Sequence, residues 1–263
     1  MPSSSPHDIW DLLGFIRDAI SATYHNTYLT GVCEVCRGQV YGTERCEVCQ
    51  AHVDEYGDRL ADQTILLTYV EAYHKDGYHQ SVHDLTYYKG KDGVPPSEDL
   101  LGKLGAMFSA AGALHADCFR ASRGSEKLWD AVTFIPSVRY PSIDHPVSRL
   151  ANSMKLAISG WDPKWVFLAP HNMGDKHKVT VDRFLVPPVF EPVVKGASVL
   201  VVDDTWTTGA NVQSASLALK AAGAQSVTGL CVARWQDWRY QNQLCASLSE
   251  PYSPQRCPVG VCS

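Results

Sequence analysis

Two adjacent carboxylates and a threonine-rich loop follow a single apolar run in this chain. The run at residues 197–202 is short and rich in β-branched residues, and it stops at Asp203 and Asp204. The loop that follows contains hydroxylated and small residues, namely Thr205, Thr207, Thr208 and Gly209. After the glycine, apolar residues recur at helical spacing. The pattern predicts a buried strand, a loop and a helix in succession.

Such a loop has the chemistry of a phosphate site. Ligands of parallel sheets bind beyond the carboxyl ends of the strands. Threonine and glycine at a helix N-terminus offer hydroxyls, backbone N–H groups and the positive end of the helix dipole. The two carboxylates suit ribose hydroxyls or a magnesium-bound sugar. The stretch therefore indicates a site for ribose 5-phosphate, and the alternative is a plain turn in which Asp204 caps the helix.

A second set of residues has the spacing of metal ligands. Cys33, Cys36, Cys46 and Cys49 form two C-x2-C pairs separated by nine residues. Two such pairs can close a tetrahedral site with no open position, which is typical of structural zinc. An iron–sulfur cluster or a redox pair is the alternative. We call residues 31–52 the cysteine knuckle and expect it to stabilise a segment too short for its own core, or to bind a protein partner.

The remaining cysteines are less informative. Cys118 and Cys231 lie in apolar surroundings, where a buried cysteine behaves as a small hydrophobic residue. Cys257 and Cys262 flank Pro-Val-Gly-Val in the C-terminal tail. They could bind a second metal, pair with Cys245, or do neither.

Composition excludes several classes of protein. The chain has 263 residues, 45% of them hydrophobic, a net charge of −5 and a pI near 6.0. A protein that binds duplex DNA usually has a basic surface, so the net charge does not favour bulk nucleic-acid affinity, and a local basic patch is the alternative. The apolar runs are too short to span a bilayer, and the N-terminus lacks the features of a signal peptide. We expect a cytoplasmic protein, in which a disulfide framework is unusual.

The elements that must position these residues alternate along the chain. Strand patterns occupy residues 64–70, 131–138, 165–170 and 226–235 besides the run at 197–202, and residues 179–186 read as an edge strand or hairpin arm. Helical patterns occupy residues 7–24, 146–160, 210–224 and 239–248, and a long helix begins near Ser97. The alternation predicts an α/β fold with an open, mostly parallel sheet and flanking helices.

Four segments follow from this reading. They are an N-terminal amphipathic helix in residues 1–30, the cysteine knuckle as a small appendage at 31–52, the α/β domain at 60–240 and a tail at 241–263.

The string VLVVDDTWTTG resembles the signature of type I phosphoribosyltransferases, which bind 5-phosphoribosyl-1-pyrophosphate (PRPP). The resemblance implies that Asp203 and Asp204 hold the ribose hydroxyls and act in catalysis. It also implies that the 5-phosphate is held by Thr205, Thr207, Thr208 and Gly209. Trp206 stands where a small aliphatic residue is expected, and it either packs outward or narrows the site.

The same resemblance implies two further parts. VTFIPSVRYPS has the place of the pyrophosphate loop, with Ser137 in the PRPP site and Arg139 as a catalytic cation. Residues 170–184, here called the lid segment, have the place of a mobile loop that closes over the reaction. Gly174 is its candidate hinge, Lys178 its candidate PRPP contact, and its other cations are Lys176, His177 and Arg183.

The order of the cysteine knuckle, a YYKG segment, IPSV and the PRPP signature is similar to the ComF family. These are competence-associated, phosphoribosyltransferase-like proteins with an N-terminal zinc finger. The family's Arg-Gly-Phe-Asn-Gln segment is replaced here by SIDHPVSRLA. The resemblance implies Mg²⁺-dependent displacement of pyrophosphate from PRPP by a nitrogenous acceptor. An accessory role in DNA uptake and a PRPP- or nucleotide-responsive regulator are the alternatives.

Overall fold

A computed structural model describes residues 6–27, 30–73, 77, 79–91, 93–137 and 145–261, with side chains from residue 9 onward. The helices are α1 (Pro6–Ala19), α2 (Glu47–Tyr56), α3 (Gln80–Tyr87), α4 (Glu98–Ser122), α5 (Pro146–Ala157), α6 (Glu191–Val194), α7 (Ala210–Ala221) and α8 (Asn242–Ser247). The strands are β1 (His25–Asn26), β2 (Gln63–Ala72), β3 (Ala131–Phe134), β4 (Lys164–Trp165), β5 (Ala169–Pro170), β6 (Phe184–Leu185), β7 (Ser198–Trp206) and β8 (Ser226–Asp237).

Six strands form one sheet in the order β1-β2-β8-β7-β3-β4. All neighbouring pairs are parallel except β1 and β2, which are antiparallel. The predicted α/β fold with a mostly parallel sheet is therefore confirmed. Because β3 and β7 are parallel neighbours, the segments that follow them emerge at the same edge of the sheet.

Strand β7 shows why the run at its start is continuously apolar. Leu200 and Val202 pack in a core with α1, α4 and α5, whereas Val199 and Val201 pack in a second core on the opposite face. Side chains alternate between the faces of a strand, so a strand covered on both sides is apolar at every position. All four of these side chains are fully buried.

Helix α4 begins as its sequence predicts. The Ser97 side chain accepts a hydrogen bond from the Leu100 N–H at 3.3 Å, and Glu98 and Asp99 occupy the first turn. A Cβ at Gly112 would lie 3.0 Å from the Met154 carbonyl oxygen, so the missing side chain lets α4 approach α5 closely.

Several helices and strands have boundaries that differ from those predicted from the sequence. The strand predicted at residues 165–170 is divided between β4 and β5, and only β6 of the predicted arm at 179–186 forms a strand, antiparallel to β5. In the cysteine knuckle, α2 starts directly after Cys46 and includes Cys49. Among the described helices, none has both the length and the apolar character that crossing a membrane requires.

Candidate functional site

The phosphate loop (residues 205–209) joins the end of β7 to the start of α7. Strand β7 continues past the predicted end at residue 202 because Trp206 still pairs with Arg234 of β8. Gly209 precedes α7 with a φ of +84°, a left-handed conformation that favours glycine. Helix α7 has twelve residues and begins directly after this loop, so its first N–H groups and the positive end of its dipole face the loop.

The Trp206 ring packs closely against Gly209 in the phosphate loop. Its side chain is 1% exposed, so it does not pack outward. A Cβ on Gly209 would meet the Trp206 ring at 2.3 Å. Close packing against the ring and the positive φ therefore both require glycine at this position.

A cleft of about 160 Å³ lies over the phosphate loop. Its walls include Asp203, the loop residues and the first turn of α7, together with Lys176 and His177 of the lid segment. Thr208 donates a hydrogen bond from its hydroxyl to the His177 carbonyl at 3.1 Å, which fixes the lid segment beside the loop. The cleft thus combines hydroxyls, helix N–H groups and a lysine, which is the donor set that an anion requires.

The two carboxylates differ in electrostatic environment. Asp203 is 4% exposed, and its burial, with the neighbouring charge of Asp204, raises the pKa of this carboxyl well above its usual value. Burial also acts to raise the pKa of Asp204, but Lys89, Asp203 and Tyr88 outweigh it and lower that pKa. The pair therefore favours one proton on Asp203 and a negative charge on Asp204.

Tyr88 and Lys89 belong to this site, although they were not predicted as site residues. The Tyr88 hydroxyl donates to Asp204 Oδ2 at 2.9 Å, and Lys89 Nζ lies 2.9 Å from the same oxygen. The YYKG segment contains both residues, but nothing in its spacing indicates contact with a carboxylate 116 positions away. The fold places the segment between α3 and α4 beside the end of β7. This placement brings Tyr88 and Lys89 to Asp204.

Arg183 organises the lid segment from inside. Its guanidinium is buried and donates to the carbonyl oxygens of Met173, Asp175 and Lys178. The structure therefore gives Arg183 an architectural role rather than the role of an exposed lid cation. Lys178 is exposed and does not line the cleft, whereas Lys176 does.

The predicted pyrophosphate loop is described only in part. Ile135 continues the pairing of β3 with a hydrogen bond from its N–H to the Val202 carbonyl at 2.9 Å, so the chain stays beside β7 one residue beyond β3. Ser137 follows two residues later, and its contact with PRPP stays a prediction. Arg139 lies outside the described residues, and its role stays a prediction.

The four knuckle cysteines converge as their spacing predicts. One sulfur from each of Cys33, Cys36, Cys46 and Cys49 lies within 4.8 Å of the other three. The sulfurs of Cys36 and Cys46 are 3.7 Å apart. Thiolates about 2.3 Å from a tetrahedral zinc ion lie roughly 3.8 Å from one another, so the donor set fits zinc.

Arg234 connects the cysteine knuckle to the phosphate loop. From β8, its Nε donates to the Cys36 carbonyl at 2.8 Å and its Nη1 donates to the Thr207 carbonyl at 3.0 Å. The Arg234 side chain is buried, and the knuckle cysteines share a core with Trp206. The knuckle therefore packs on the sheet beside the candidate site.

Comparison with known proteins gives little beyond this geometry. No family model matches the chain, and no curated protein matches it. The chain is similar to a solved allosteric regulatory enzyme of purine biosynthesis (19% identity, TM-score 0.30), with 49% of this chain and 26% of that chain covered, so it spans about a quarter of that enzyme. It is also similar to a phosphoribosyltransferase from Corynebacterium diphtheriae (21% identity, TM-score 0.28), with 51% of this chain and 78% of that chain covered.

Proposed function

We propose that this chain binds PRPP and transfers its phosphoribosyl group to a nitrogen-containing acceptor, with release of pyrophosphate. One observation supports the proposal most strongly. A carboxylate pair, in which Asp203 is buried, and an anion cleft at a helix N-terminus lie on consecutive residues, from Asp203 to the first turn of α7. A sugar that carries hydroxyls and a 5-phosphate satisfies both features at once.

In this proposal the phosphate loop holds the 5-phosphate, with Lys176 adding positive charge. Asp203 and Asp204 accept hydrogen bonds from the ribose hydroxyls and lie near the positive charge that develops on the sugar. The acceptor nitrogen forms a bond to the anomeric carbon while the bond from that carbon to pyrophosphate breaks, and the electron pair leaves with pyrophosphate. The chain mainly orients the reactants, and Ser137 and Arg139 are the proposed pyrophosphate contacts.

Magnesium fits the carboxylate pair. Mg²⁺ takes oxygen ligands, and its positive charge would favour loss of the proton that burial keeps on Asp203. When bound with PRPP, Mg²⁺ would supply positive charge to the departing pyrophosphate. Zinc in the cysteine knuckle would be structural, because four cysteines fill its coordination.

A non-catalytic PRPP-responsive regulator is the second candidate. Asp204 Oδ2 already accepts a hydrogen bond from Tyr88 and is ion-paired with Lys89, so a ribose must share or displace these partners. Displacement would move the segment between α3 and α4, which is a route from ligand binding to a change in conformation. The ComF-like role in DNA uptake, a protein partner for the knuckle and the cytoplasmic location stay predictions.

Turnover separates these candidates. We would incubate the protein with PRPP and Mg²⁺, add each nucleobase or a small amine in turn, and follow pyrophosphate and the ribosyl product by phosphorus NMR. Acceptor-dependent pyrophosphate release supports the transferase. PRPP binding without release for any acceptor supports the regulator, and salt-sensitive binding of single-stranded DNA would favour the role in DNA uptake.

A further inference from the structure

Three side chains with nitrogen or sulfur donor atoms lie together where the C-terminal tail contacts α4, in a group that shares no residue with the candidate site. His115 and Cys118 are on α4, three residues apart, and Cys257 belongs to the tail. One nitrogen or sulfur atom from each lies within 4.8 Å of the other two. In the described part of the chain, this and the knuckle are the two groups with such geometry.

The orientation of His115 is that of a metal ligand. Its ring is buried, and Nε2 lies 2.8 Å from the Pro254 carbonyl oxygen. A carbonyl only accepts, so Nε2 carries the hydrogen and Nδ1 presents its lone pair. Nδ1 lies 3.8 Å from Cys118 Sγ. Metal-binding histidines generally donate their other N–H to a carbonyl or carboxylate in this way.

The tail is held in place up to this point by hydrogen bonds. The Tyr252 N–H donates to the Tyr24 carbonyl at 2.8 Å, and the Ser253 N–H donates to Asn26 Oδ1 at 2.8 Å. These bonds bring Cys257 to α4, although the tail from Pro251 to Val261 has no helix or strand of its own. A metal ion would add folding energy where the tail has little core.

We propose that His115, Cys118 and Cys257 bind a second zinc ion in the reduced chain and fasten the tail to α4. Nitrogen and sulfur donors select zinc over magnesium or calcium. Tetrahedral zinc takes a fourth ligand, and a water molecule can fill that position. Cys262 lies outside the described residues.

The state of Cys118 links this site to thiol chemistry. Cys118 is disulfide-bonded in the structure, so its sulfur can bind zinc only after reduction. An external dithiol would transfer two electrons to the disulfide and become a disulfide itself. Reduction releases Cys118 as a thiol, and the Cys118 and Cys257 thiols then lose their protons to solvent as zinc binds.

The zinc content of the protein tests the proposal. The full chain would be purified with a reductant, loaded with zinc, freed of excess metal and analysed by elemental mass spectrometry. We expect two zinc ions per chain. Cys257→Ser should leave one, Cys46→Ser should lose the other, and Cys245→Ser, a buried cysteine outside both groups, should retain two. One zinc ion in the reduced wild type, or two in a folded Cys257→Ser variant, would overturn the proposal.

Trypsin gives a second measurement that does not depend on the metal count. Arg256 immediately precedes Cys257, so cleavage there releases the end of the tail. Zinc should slow this cleavage at least roughly tenfold in the reduced wild type and have no effect in Cys257→Ser. Equal rates with and without zinc in the wild type would contradict a metal that fastens the tail.

Discussion

At the scale of single residues, the site is defined by two carboxylates with opposite pKa shifts. Burial makes a charge on Asp203 costly, and Lys89 makes the charge on Asp204 favourable. A residue retained in a costly environment is a candidate for function, because binding sites often sacrifice stability. Function and stability should therefore respond in opposite directions to substitution of Asp203.

We predict that Asp203→Asn raises the melting temperature at neutral pH. The pKa of Asp203 is higher in the folded chain than in the unfolded one, so the carboxyl destabilises the fold progressively as pH rises above the unfolded value of about 3.9. The increase in melting temperature should be absent near that pH and should grow as pH rises. Each 1 kcal/mol of destabilisation that asparagine removes should raise the melting temperature by about 2–4 °C. Scanning calorimetry from pH 4 to 8 measures it, and Asp117→Asn, at an exposed position of α4, is the control. A gain that is constant with pH would contradict the assigned shift.

The sequence predicted the carboxylates but not their partners. Asp203, Asp204 and the loop were recognisable because they are consecutive and follow an apolar run. Tyr88, Lys89 and Arg234 reach the site only through the order of strands in the sheet, which is a property of long-range pairing. Trp206 could not be placed from sequence because it terminates a strand whose length depends on β8.

At the scale of elements, the phosphate loop depends on a turn that only glycine permits. We predict that Gly209→Ala destabilises the protein by more than about 1–2 kcal/mol, the usual cost of a left-handed residue, because the new Cβ also meets the Trp206 ring. Denaturant unfolding measures the loss. Trp206→Leu removes the ring that the new Cβ meets, so Gly209→Ala should cost less stability in the Trp206→Leu background than in the wild type. If the destabilisations of the two single variants simply add in Gly209→Ala/Trp206→Leu, the ring does not obstruct the new Cβ.

The lid segment offers a matched pair of lysines. Lys176 lines the cleft and Lys178 does not, so Lys176→Ala should weaken PRPP binding by about 1.5–3 kcal/mol, the range for a hydrogen bond to a charged group. Lys178→Ala should change the affinity less, contrary to the expectation from sequence. Calorimetric titration compares them, and a larger effect at Lys178 would restore it as the PRPP contact.

Element types were more predictable than element lengths. The strand at 197–202 and the helix that begins after Ser97 followed from apolar runs and capping residues, which act locally. The alternating pattern at 179–186 predicted an arm of which only β6 forms, because Arg183 turns inward to the carbonyls of the lid segment. Such burial of an arginine is not visible in an alternating pattern.

At the scale of the whole molecule, the cysteine knuckle is part of the architecture around the site. One Arg234 guanidinium donates through Nε to the Cys36 carbonyl in the knuckle and through Nη1 to the Thr207 carbonyl in the phosphate loop. Lysine lacks the planar fork that makes both contacts. The knuckle and the phosphate loop should therefore be coupled energetically.

We predict that Arg234→Lys weakens PRPP binding and lowers the free energy of unfolding by about 1.5–3 kcal/mol, the range for a hydrogen bond to a charged group. Removal of the knuckle zinc by a chelator should weaken PRPP binding in the same direction. Arg239→Lys, an exposed arginine five residues later, is the control. Unchanged PRPP affinity in a folded Arg234→Lys protein would show that the knuckle and the loop are independent.

The central claim is that Asp203 and Asp204 form a PRPP site, and calorimetric titration of PRPP with Mg²⁺ tests it most directly. The wild type should bind, and Asp203→Asn/Asp204→Asn should lose at least about 100-fold in affinity while retaining cooperative unfolding. Loss of PRPP binding in a variant that still folds would show that Asp203 and Asp204 form the PRPP site. Wild-type affinity in the double variant, or no binding by the wild type at millimolar PRPP, would contradict the account.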